Sequence, residues 1–114
     1  MRYEAPGSVD EAVTLLADAN GAARILAGGT DLLVQLRAGL ISPDIVVNIK
    51  NISETQGITA DGDGFCIGAS VSGAEMGENE ALTSAWPGVV EGTELIGSTQ
   101  IQSRATMAGN LCLL

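Results

Sequence analysis

The sequence contains no histidine, and its aromatic residues are limited to one Trp, one Tyr and one Phe. Histidine is the usual proton carrier near neutral pH, so its absence excludes the common catalytic arrangements built on an imidazole. None of the carboxylates is paired in a way that suggests acid–base work, and we identify no candidate catalytic residue. With so few aromatic rings, the core must be built from Leu, Ile, Val and Ala.

Basic residues are also scarce, because five Lys and Arg stand against fourteen Asp and Glu, for a net charge of −9. Such a surface repels a phosphate backbone, so the composition argues against a nucleic-acid partner. The acidic residues are scattered along the chain rather than gathered in one run, which is typical of a solvated surface.

Cysteines are few, and long apolar runs are missing. Cys66 and Cys112 make neither a metal quartet nor a disulfide framework, and we predict no metal site. Cys66 lies in Gly-Phe-Cys-Ile-Gly, where a small buried hydrophobe is expected. The first residues lack the apolar segment of a secretion signal, and no stretch is long enough to span a membrane. We therefore expect a cytoplasmic protein without a membrane span.

Small aliphatic residues and glycine are abundant, since 46% of the chain is apolar and 15 residues are glycine. This composition is typical of a globular α/β protein, and the order of the predicted elements indicates an α/β (α+β) fold with a small parallel sheet and flanking helices. Because a helix separates the two strands of the first half, these strands are expected to pair in parallel. The predicted elements are a helix capped by Ser8 and ended by Asn20-Gly21, a buried strand Arg24–Ala27, a helix Leu32–Leu40 and a strand Ile45–Ile49.

The second half of the chain has a different pattern. Two apolar runs, Ile58–Ala60 and Phe65–Ile67, flank Asp-Gly-Asp-Gly and predict a β-hairpin. Helical segments are expected from Ser72 to Met76 and from Glu80 to Ile96, the second with an interruption near Pro87-Gly88. The polar segment 97–109 is bounded by glycines and is expected to be mostly loop.

These patterns divide the chain into an α/β subdomain, residues 1–55, and the start of a second, mixed or antiparallel subdomain, residues 56–114. The sequence ends on the apolar run Leu111–Leu114. A natural domain seldom leaves such a run uncovered. We therefore interpret the chain as the N-terminal part of a larger domain.

The first candidate site is the glycine turn Ala27–Asp31, between the first predicted strand and the helix that follows it. Gly28 and Gly29 let the backbone approach a ligand closely and take positive φ without penalty. Free amides at the start of the next helix point into the same space and favour an anion. Asp31 is expected to cap that helix. On spacing alone, the motif fits a plain strand-to-helix turn equally well.

The second candidate site is the segment Arg104–Asn110, which reads Arg-Ala-Thr-Met-Ala-Gly-Asn. Small residues, a hydroxyl and an amide at close spacing suit a loop laid against a phosphate or a ribose. Taken alone, however, this composition is more typical of an ordinary surface turn.

Four segments taken in order resemble the FAD-binding medium subunit of the xanthine dehydrogenase family, which includes the aerobic carbon monoxide dehydrogenases. The resemblance extends over essentially the whole chain and rests on Ile25–Leu33, Ile67–Val71, Leu95–Ser98 and Ile101–Leu111. It implies an FAD-binding fold of the vanillyl-alcohol-oxidase and p-cresol-methylhydroxylase type. It also implies that the rest of this domain and a C-terminal domain are absent from the chain.

The resemblance implies particular contacts to FAD. The glycine turn corresponds to the family's pyrophosphate-binding turn, Thr106–Asn110 to its Thr-Ile-Gly-Gly-Asn loop, and Ile96 to a position that packs on the cofactor. This chain departs from the family at Met107 and Ala108, and a positive φ at Ala108 would be strained. The implied cofactor-binding residues are Ile25, Leu26, Ala27, Gly28, Gly29, Thr30, Asp31, Leu32, Ile96, Thr106, Met107, Ala108, Gly109 and Asn110.

The same resemblance implies a function as the FAD-binding electron-transfer subunit of a molybdenum-containing hydroxylase or dehydrogenase. Its partners would be a molybdenum-pterin large subunit and an iron–sulfur small subunit, and electrons would leave the flavin for an external acceptor. In such a system the cofactor supplies the redox chemistry. The residues alone leave two alternatives open: an α/β binding or interaction module without flavin, and a site for a different nucleotide.

Overall fold

The first half of the chain forms a three-stranded parallel sheet. In a computed structural model, which describes residues 1–112, its strands are β1 (Arg2–Glu4), β2 (Ala23–Leu26) and β3 (Ile45–Asn48). They lie in the order β1-β3-β2. All four residues of the central strand β3 are buried, as expected for a run of β-branched residues. The predicted parallel pairing of β2 with β3 is confirmed, whereas β1 was not predicted.

Two helices accompany this sheet, α1 (Val9–Asp18) and α2 (Leu32–Arg37). The Ser8 hydroxyl accepts the Glu11 amide at 3.2 Å, and the Glu11 carboxylate accepts the Gly7 amide at 3.1 Å. The predicted cap is therefore confirmed, although the reciprocal bond reaches one residue further back than in a standard capping box. The α1 helix is followed by Asn20 and Gly21, both at positive φ, and α2 ends before the predicted Leu40.

The prediction that Arg24–Ala27 forms a buried strand is wrong in part. The strand is present as β2, but it lies at one edge of the sheet, and Ile25 is 52% exposed. A short apolar run has the same sequence pattern in a central and in an edge strand. Burial depends on the neighbouring elements, which the local pattern does not contain.

Aliphatic side chains between α1 and β3 form the first core, as the shortage of aromatic residues requires. Its side chains come from the helix, the central strand and the segment after it, so the sheet is covered on the α1 side. The buried members are Ala12, Ile45, Val47 and Ile52, with Leu15, Leu16, Ala19, Ala23 and Ile49 packed around them.

The predicted hairpin in the second half is confirmed as β4 (Ile58–Asp61) and β5 (Gly64–Ile67), with Asp61 opposite Gly64. Gly62 takes φ 60° in the two-residue loop. The expected burial of Cys66 is wrong, because this residue is exposed. Alternate residues of a strand face opposite sides, so Phe65 and Ile67 pack on the core while Cys66 points away from it.

Short helices make up most of the second half. The expected helix near Ser72–Met76 is confirmed, and the long helical region divides at Trp86 because Pro87 begins a new helix. Segment 97–109, expected to be loop, instead contains one helix and most of another. The elements are a 3₁₀ turn Ser53–Thr55, then α3 (Gly73–Glu78), α4 (Glu80–Ala85), α5 (Pro87–Glu94), α6 (Thr99–Gln102) and α7 (Met107–Leu111).

A serine cap explains why the expected loop is helical. The Ser98 hydroxyl accepts the Ile101 amide at 3.4 Å and begins α6. The glycines that suggested a loop lie at the boundary and near the end of the segment, where they do not break this turn. The last two residues of the terminal apolar run, Leu113 and Leu114, lie outside the described residues. Within residues 1–112, no helix has the length and apolarity needed to cross a membrane.

A second aliphatic core holds these helices against the hairpin. Its buried members are Val71, Met76, Leu82 and Val90, and Ile58, Phe65, Ile67 and Met107 pack around them. The two halves join where the Ser70 hydroxyl donates to the Thr55 carbonyl at 2.7 Å. A Cβ at Gly68 would overlap the same carbonyl group, so the backbones approach closely at this joint.

Candidate functional site

The glycine turn lies at the carboxyl end of β2 and leads directly into α2. Gly29 takes φ +81°, and its carbonyl accepts the Leu33 amide at 3.1 Å. A Cβ at Gly29 would lie 3.1 Å from the side chains of Leu26 and Leu33, so the turn is closely packed on its inner side. Glycine is therefore required here both for the backbone angle and for the space.

The amides of this turn are free. Within residues 1–112, none of the backbone N–H groups from Gly28 to Leu32 donates to an acceptor of the chain. Asp31 was expected to cap α2, but its side chain makes no capping bond. Because α2 has only six residues, the turn's own amides rather than a long helix dipole are available to an anion.

Gly28 brings the two candidate segments into contact. A Cβ at this position would overlap the Arg104 carbonyl oxygen and would lie 2.7 Å from the Arg104 carbonyl carbon and 3.2 Å from the Ala105 Cα. The backbone of the glycine turn therefore lies directly against the backbone that precedes Thr106. Segments separated by more than seventy residues of sequence therefore meet at Gly28.

Thr106 anchors the second segment. Its side chain is nearly fully buried and accepts the Gly109 amide at 3.0 Å, which caps α7. Its carbonyl accepts both the backbone and the side-chain N–H of Asn110. Ala108 lies inside this helix at negative φ, so the strain expected for a positive φ at this position does not arise.

A short bridge attaches the second segment to the second core. Thr106 pairs with Ser72 in an isolated antiparallel bridge, and the Gly73 amide donates to the Ala105 carbonyl at 2.8 Å. The backbone that lies against the glycine turn is therefore also attached to the start of α3.

Lys50 and Arg104 bring positive charge to a chain that has little of it. The Lys50 ammonium donates to the Ala27 carbonyl at 2.7 Å. Partial burial lowers the pKa of Lys50, and the like charge of Arg104 lowers this pKa further. The interaction with Tyr3 acts in the opposite direction and raises the pKa. An anion bound beside the turn would favour the charged form of this side chain.

Sequence reasoning placed neither Lys50 nor Arg104 among the cofactor-binding residues. The sequence did contain a signal for Lys50. Lys50 lies just after the strand β3, and Ala27 lies just after the strand β2. The carboxyl ends of neighbouring parallel strands meet at one edge of a sheet. Arg104 belongs to the quoted second segment, but only the contact with Gly28 shows that its backbone meets the turn.

The remaining predicted residues are less closely joined to the turn. Ile25 is exposed on β2, and Leu32 is half-buried at the start of α2. Ile96 is half-buried after α5, where its amide donates to the Thr93 carbonyl. The close approach described above joins Gly28 with Arg104 and Ala105, which directly precede Thr106, and it includes neither Ile25 nor Ile96.

One cleft among the described residues does not coincide with this site. It has a volume of about 430 Å³ and is lined by Gln56, Gly57, Ser70, Val71 and Glu75. None of these residues belongs to the predicted cofactor-binding set. Backbone amides on an open surface attract an anion without forming a deep cavity, so the turn remains the candidate site although this cleft lies elsewhere.

The cap of α7 can be tested by Thr106→Val. Loss of the hydroxyl leaves the Gly109 amide without its partner, and we expect the free energy of unfolding to fall by about 1 kcal/mol, the usual cost of losing an N-cap. Urea denaturation of the chain measures this change. Thr106→Ser keeps the hydroxyl and is the matched control. Equal stability of the valine variant and the original chain would contradict the capping role.

Comparisons with known proteins show the family of the chain. The family described as "FAD binding domain in molybdopterin dehydrogenase" matches residues 1–114. The carbon monoxide dehydrogenase medium chain of Hydrogenophaga pseudoflava is 32% identical over 109 residues, which cover 96% of this chain and 38% of that relative. The xanthine dehydrogenase FAD-binding subunit of Escherichia coli O157:H7 is 34% identical over 111 residues, which cover 96% and 38%.

Solved structures share the fold as well. The carbon monoxide dehydrogenase of Hydrogenophaga pseudoflava matches with a TM-score of 0.93 at 32% identity, over 97% of this chain and 39% of that one. The quinoline 2-oxidoreductase of Pseudomonas putida 86 matches with a TM-score of 0.91 at 29% identity, with the same coverage. The chain thus spans about two fifths of the length of these relatives. The predicted fold and family resemblance are confirmed, and the chain belongs to the family of FAD-binding domains of molybdopterin dehydrogenases.

Proposed function

We propose that this chain binds the diphosphate of FAD within the electron-transfer subunit of a molybdenum-containing hydroxylase or dehydrogenase. The observation that carries the proposal is the run of free amides from Gly28 to Leu32, held against the Arg104–Ala105 backbone. In the intact enzyme, this subunit would relay electrons from iron–sulfur clusters to an external acceptor.

The residues present suit a dinucleotide diphosphate. Free backbone amides are donors for phosphate oxygens, and each charge-assisted bond contributes about 1.5–3 kcal/mol net. Lys50 and Arg104 add two of the five cations of a chain whose net charge is −9. The backbone of Gly28 lies so close to the backbone of Arg104 that no side chain fits between the two segments. FAD, when bound, supplies the redox chemistry, while the chain binds and orients it.

We assign the cofactor contacts to the two segments and one outlying residue. The turn and its flanks would bind the diphosphate, α7 and its cap would lie along the cofactor, and Ile96 would pack against it. These residues are Ile25–Leu32, Ile96 and Thr106–Asn110. In this arrangement residues 1–55 form an α/β subdomain and residues 56–114 begin a second one, with the remainder of the flavin domain supplied by further chain.

The names of the relatives support a multi-subunit enzyme. One is a carbon monoxide dehydrogenase medium chain, and another is the caffeine dehydrogenase subunit beta of a Pseudomonas strain. We propose that the partners are a molybdenum-pterin large subunit and an iron–sulfur small subunit. A cytoplasmic location is part of this proposal.

The proposal is tested on the full natural protein purified without added cofactor. We expect it to show the near-ultraviolet and blue absorbance bands of oxidised flavin, and to release FAD on denaturation. Mass spectrometry identifies the released molecule. Recovery of ADP or a nicotinamide dinucleotide would favour a different nucleotide on the same turn. Protein that is colourless and binds no added FAD would contradict the proposal and favour an interaction module.

A further inference from the structure

Lys50 contacts the glycine turn from the carbonyl side. Its ammonium donates to the Ala27 carbonyl at 2.7 Å, across 23 residues of sequence. Lys50 is half-buried and follows β3, whereas Ala27 follows β2, and the Ile49 amide donates to the Leu26 carbonyl beside this bond. The lysine therefore continues the pairing of the two strands into the turn.

The contact between Lys50 and the Ala27 carbonyl also fixes the direction of the Gly28 N–H, because both groups belong to one planar peptide. Residues 1–112 contain no cis peptide. In a trans peptide the carbonyl oxygen and the N–H of the following residue point in opposite directions. The Ala27 oxygen points to Lys50, so the Gly28 N–H points to the other side of the turn. That N–H has no acceptor within the described residues.

A short network holds Lys50 in place. The Lys50 amide donates to the Asn48 side-chain oxygen at 3.0 Å, and the Asn48 side-chain nitrogen donates to the Tyr3 hydroxyl at 2.6 Å. Asn48 is buried, so this network is anchored in β3 and reaches the neighbouring strand β1. The backbone of Lys50 is therefore held in place, and the direction of the hydrogen bond from its side chain to the Ala27 carbonyl is defined.

We propose that Lys50 is a positioning residue for diphosphate binding, which fixes the Ala27–Gly28 peptide so that the Gly28 amide faces the anion. This inference rests on the proposed function. A hydrogen bond on a peptide oxygen also polarises the same peptide and makes its N–H a stronger donor. Lys50 thereby keeps the negative end of this peptide away from the diphosphate and directs the positive end toward it.

The test compares Lys50→Met with the original protein, using the full natural protein after removal of its flavin. We expect the dissociation constants of FAD and of ADP, measured by titration calorimetry, to rise about tenfold, the loss of roughly one charge-assisted hydrogen bond. We expect Lys50→Arg to restore most of the affinity, because it keeps both the charge and the donors. The midpoint of unfolding of the ligand-free Lys50→Met protein should fall by no more than about 2–4 °C, the effect of one lost hydrogen bond.

Arg37→Met is the matched control for charge, because it removes one cation from the exposed end of α2. We expect it to change the FAD affinity less than about twofold. If Lys50→Met bound FAD as tightly as the original protein, or lost no more affinity than Arg37→Met, the positioning role would be overturned. A fall in the unfolding midpoint of more than about 4 °C, with no recovery of FAD affinity in Lys50→Arg, would instead show a purely structural role and overturn it too.

Three further outcomes separate the role of Lys50 from the proposed function. If Lys50→Met is insoluble, Lys50→Gln is used with the same expectations, since its shorter uncharged side chain also loses the ammonium. If the original protein binds neither FAD nor ADP, the proposed function itself fails. If the original protein binds both and the variants bind equally well, only the role of Lys50 is rejected.

Discussion

Replacing Gly28 with alanine is expected to leave the purified full natural protein with less than about a tenth of its FAD. A Cβ at Gly28 would overlap the Arg104 carbonyl oxygen and lie 2.7 Å from the carbonyl carbon. Both are backbone atoms, so no side-chain rotation relieves the clash. The turn and the Arg104–Ala105 backbone must therefore separate, and the free amides move away from the second segment. The ratio of flavin to protein absorbance measures the result.

Gly92→Ala is the matched control, because it makes the same chemical change in α5, where a Cβ would meet no atom within 4 Å. Alanine there is expected to be neutral or to stabilise the helix by about 0.5–1 kcal/mol. Its flavin content should equal that of the original protein. Stoichiometric FAD in Gly28→Ala would show that the two segments need not touch for the cofactor to bind.

Truncating Leu82 to alanine is expected to cost about 2–5 kcal/mol of unfolding free energy. Leu82 is 1% exposed and packs with Val71, Met76 and Val90 in the second core. The truncation removes buried apolar surface and leaves a cavity that the surrounding chain fills only in part. Met107, on the predicted cofactor segment, packs against the same core, so the loss also loosens α7. Urea denaturation of the chain measures the cost.

The same truncation at Leu95 serves as the control, because this side chain is 84% exposed. Substitutions at such positions usually change stability by no more than about 0.5 kcal/mol. Equal costs at Leu82 and Leu95 would mean that the second core is not packed as described. In that case the bridge from Thr106 to Ser72 would also lose its support.

Local patterns predicted most elements of the first half correctly. Ser8 and Glu11 indicated the start of α1, and the β-branched run at β3 indicated a buried strand. In the second half, Asp-Gly-Asp-Gly indicated the hairpin. Each of these signals acts between residues close in sequence, through a cap, a turn or a side-chain alternation. They do not depend on which other parts of the chain lie nearby.

The errors on burial and the missed strand β1 share one cause, since each depends on contacts between distant segments, whereas the helix in segment 97–109 was missed although its Ser98 cap is local. Cys66 and Ile25 are apolar enough to suggest burial, but exposure depends on which face the neighbouring elements cover. The strand β1 is three residues long and pairs with β3, more than forty residues away. No periodicity can be read from so short a segment.

The sequence by itself determined the identity of the candidate site: a glycine pair after a strand, a Thr-to-Asn segment near the end, and their order along the chain. These features consist of residue types and their spacing along the chain, so they can be read directly from the sequence. Only the tertiary structure decided that Gly28 lies against Arg104 and that Lys50 bonds to the Ala27 carbonyl. Such contacts arise from strand pairing and core packing, which bring remote backbone groups together at distances that the order of residues does not encode.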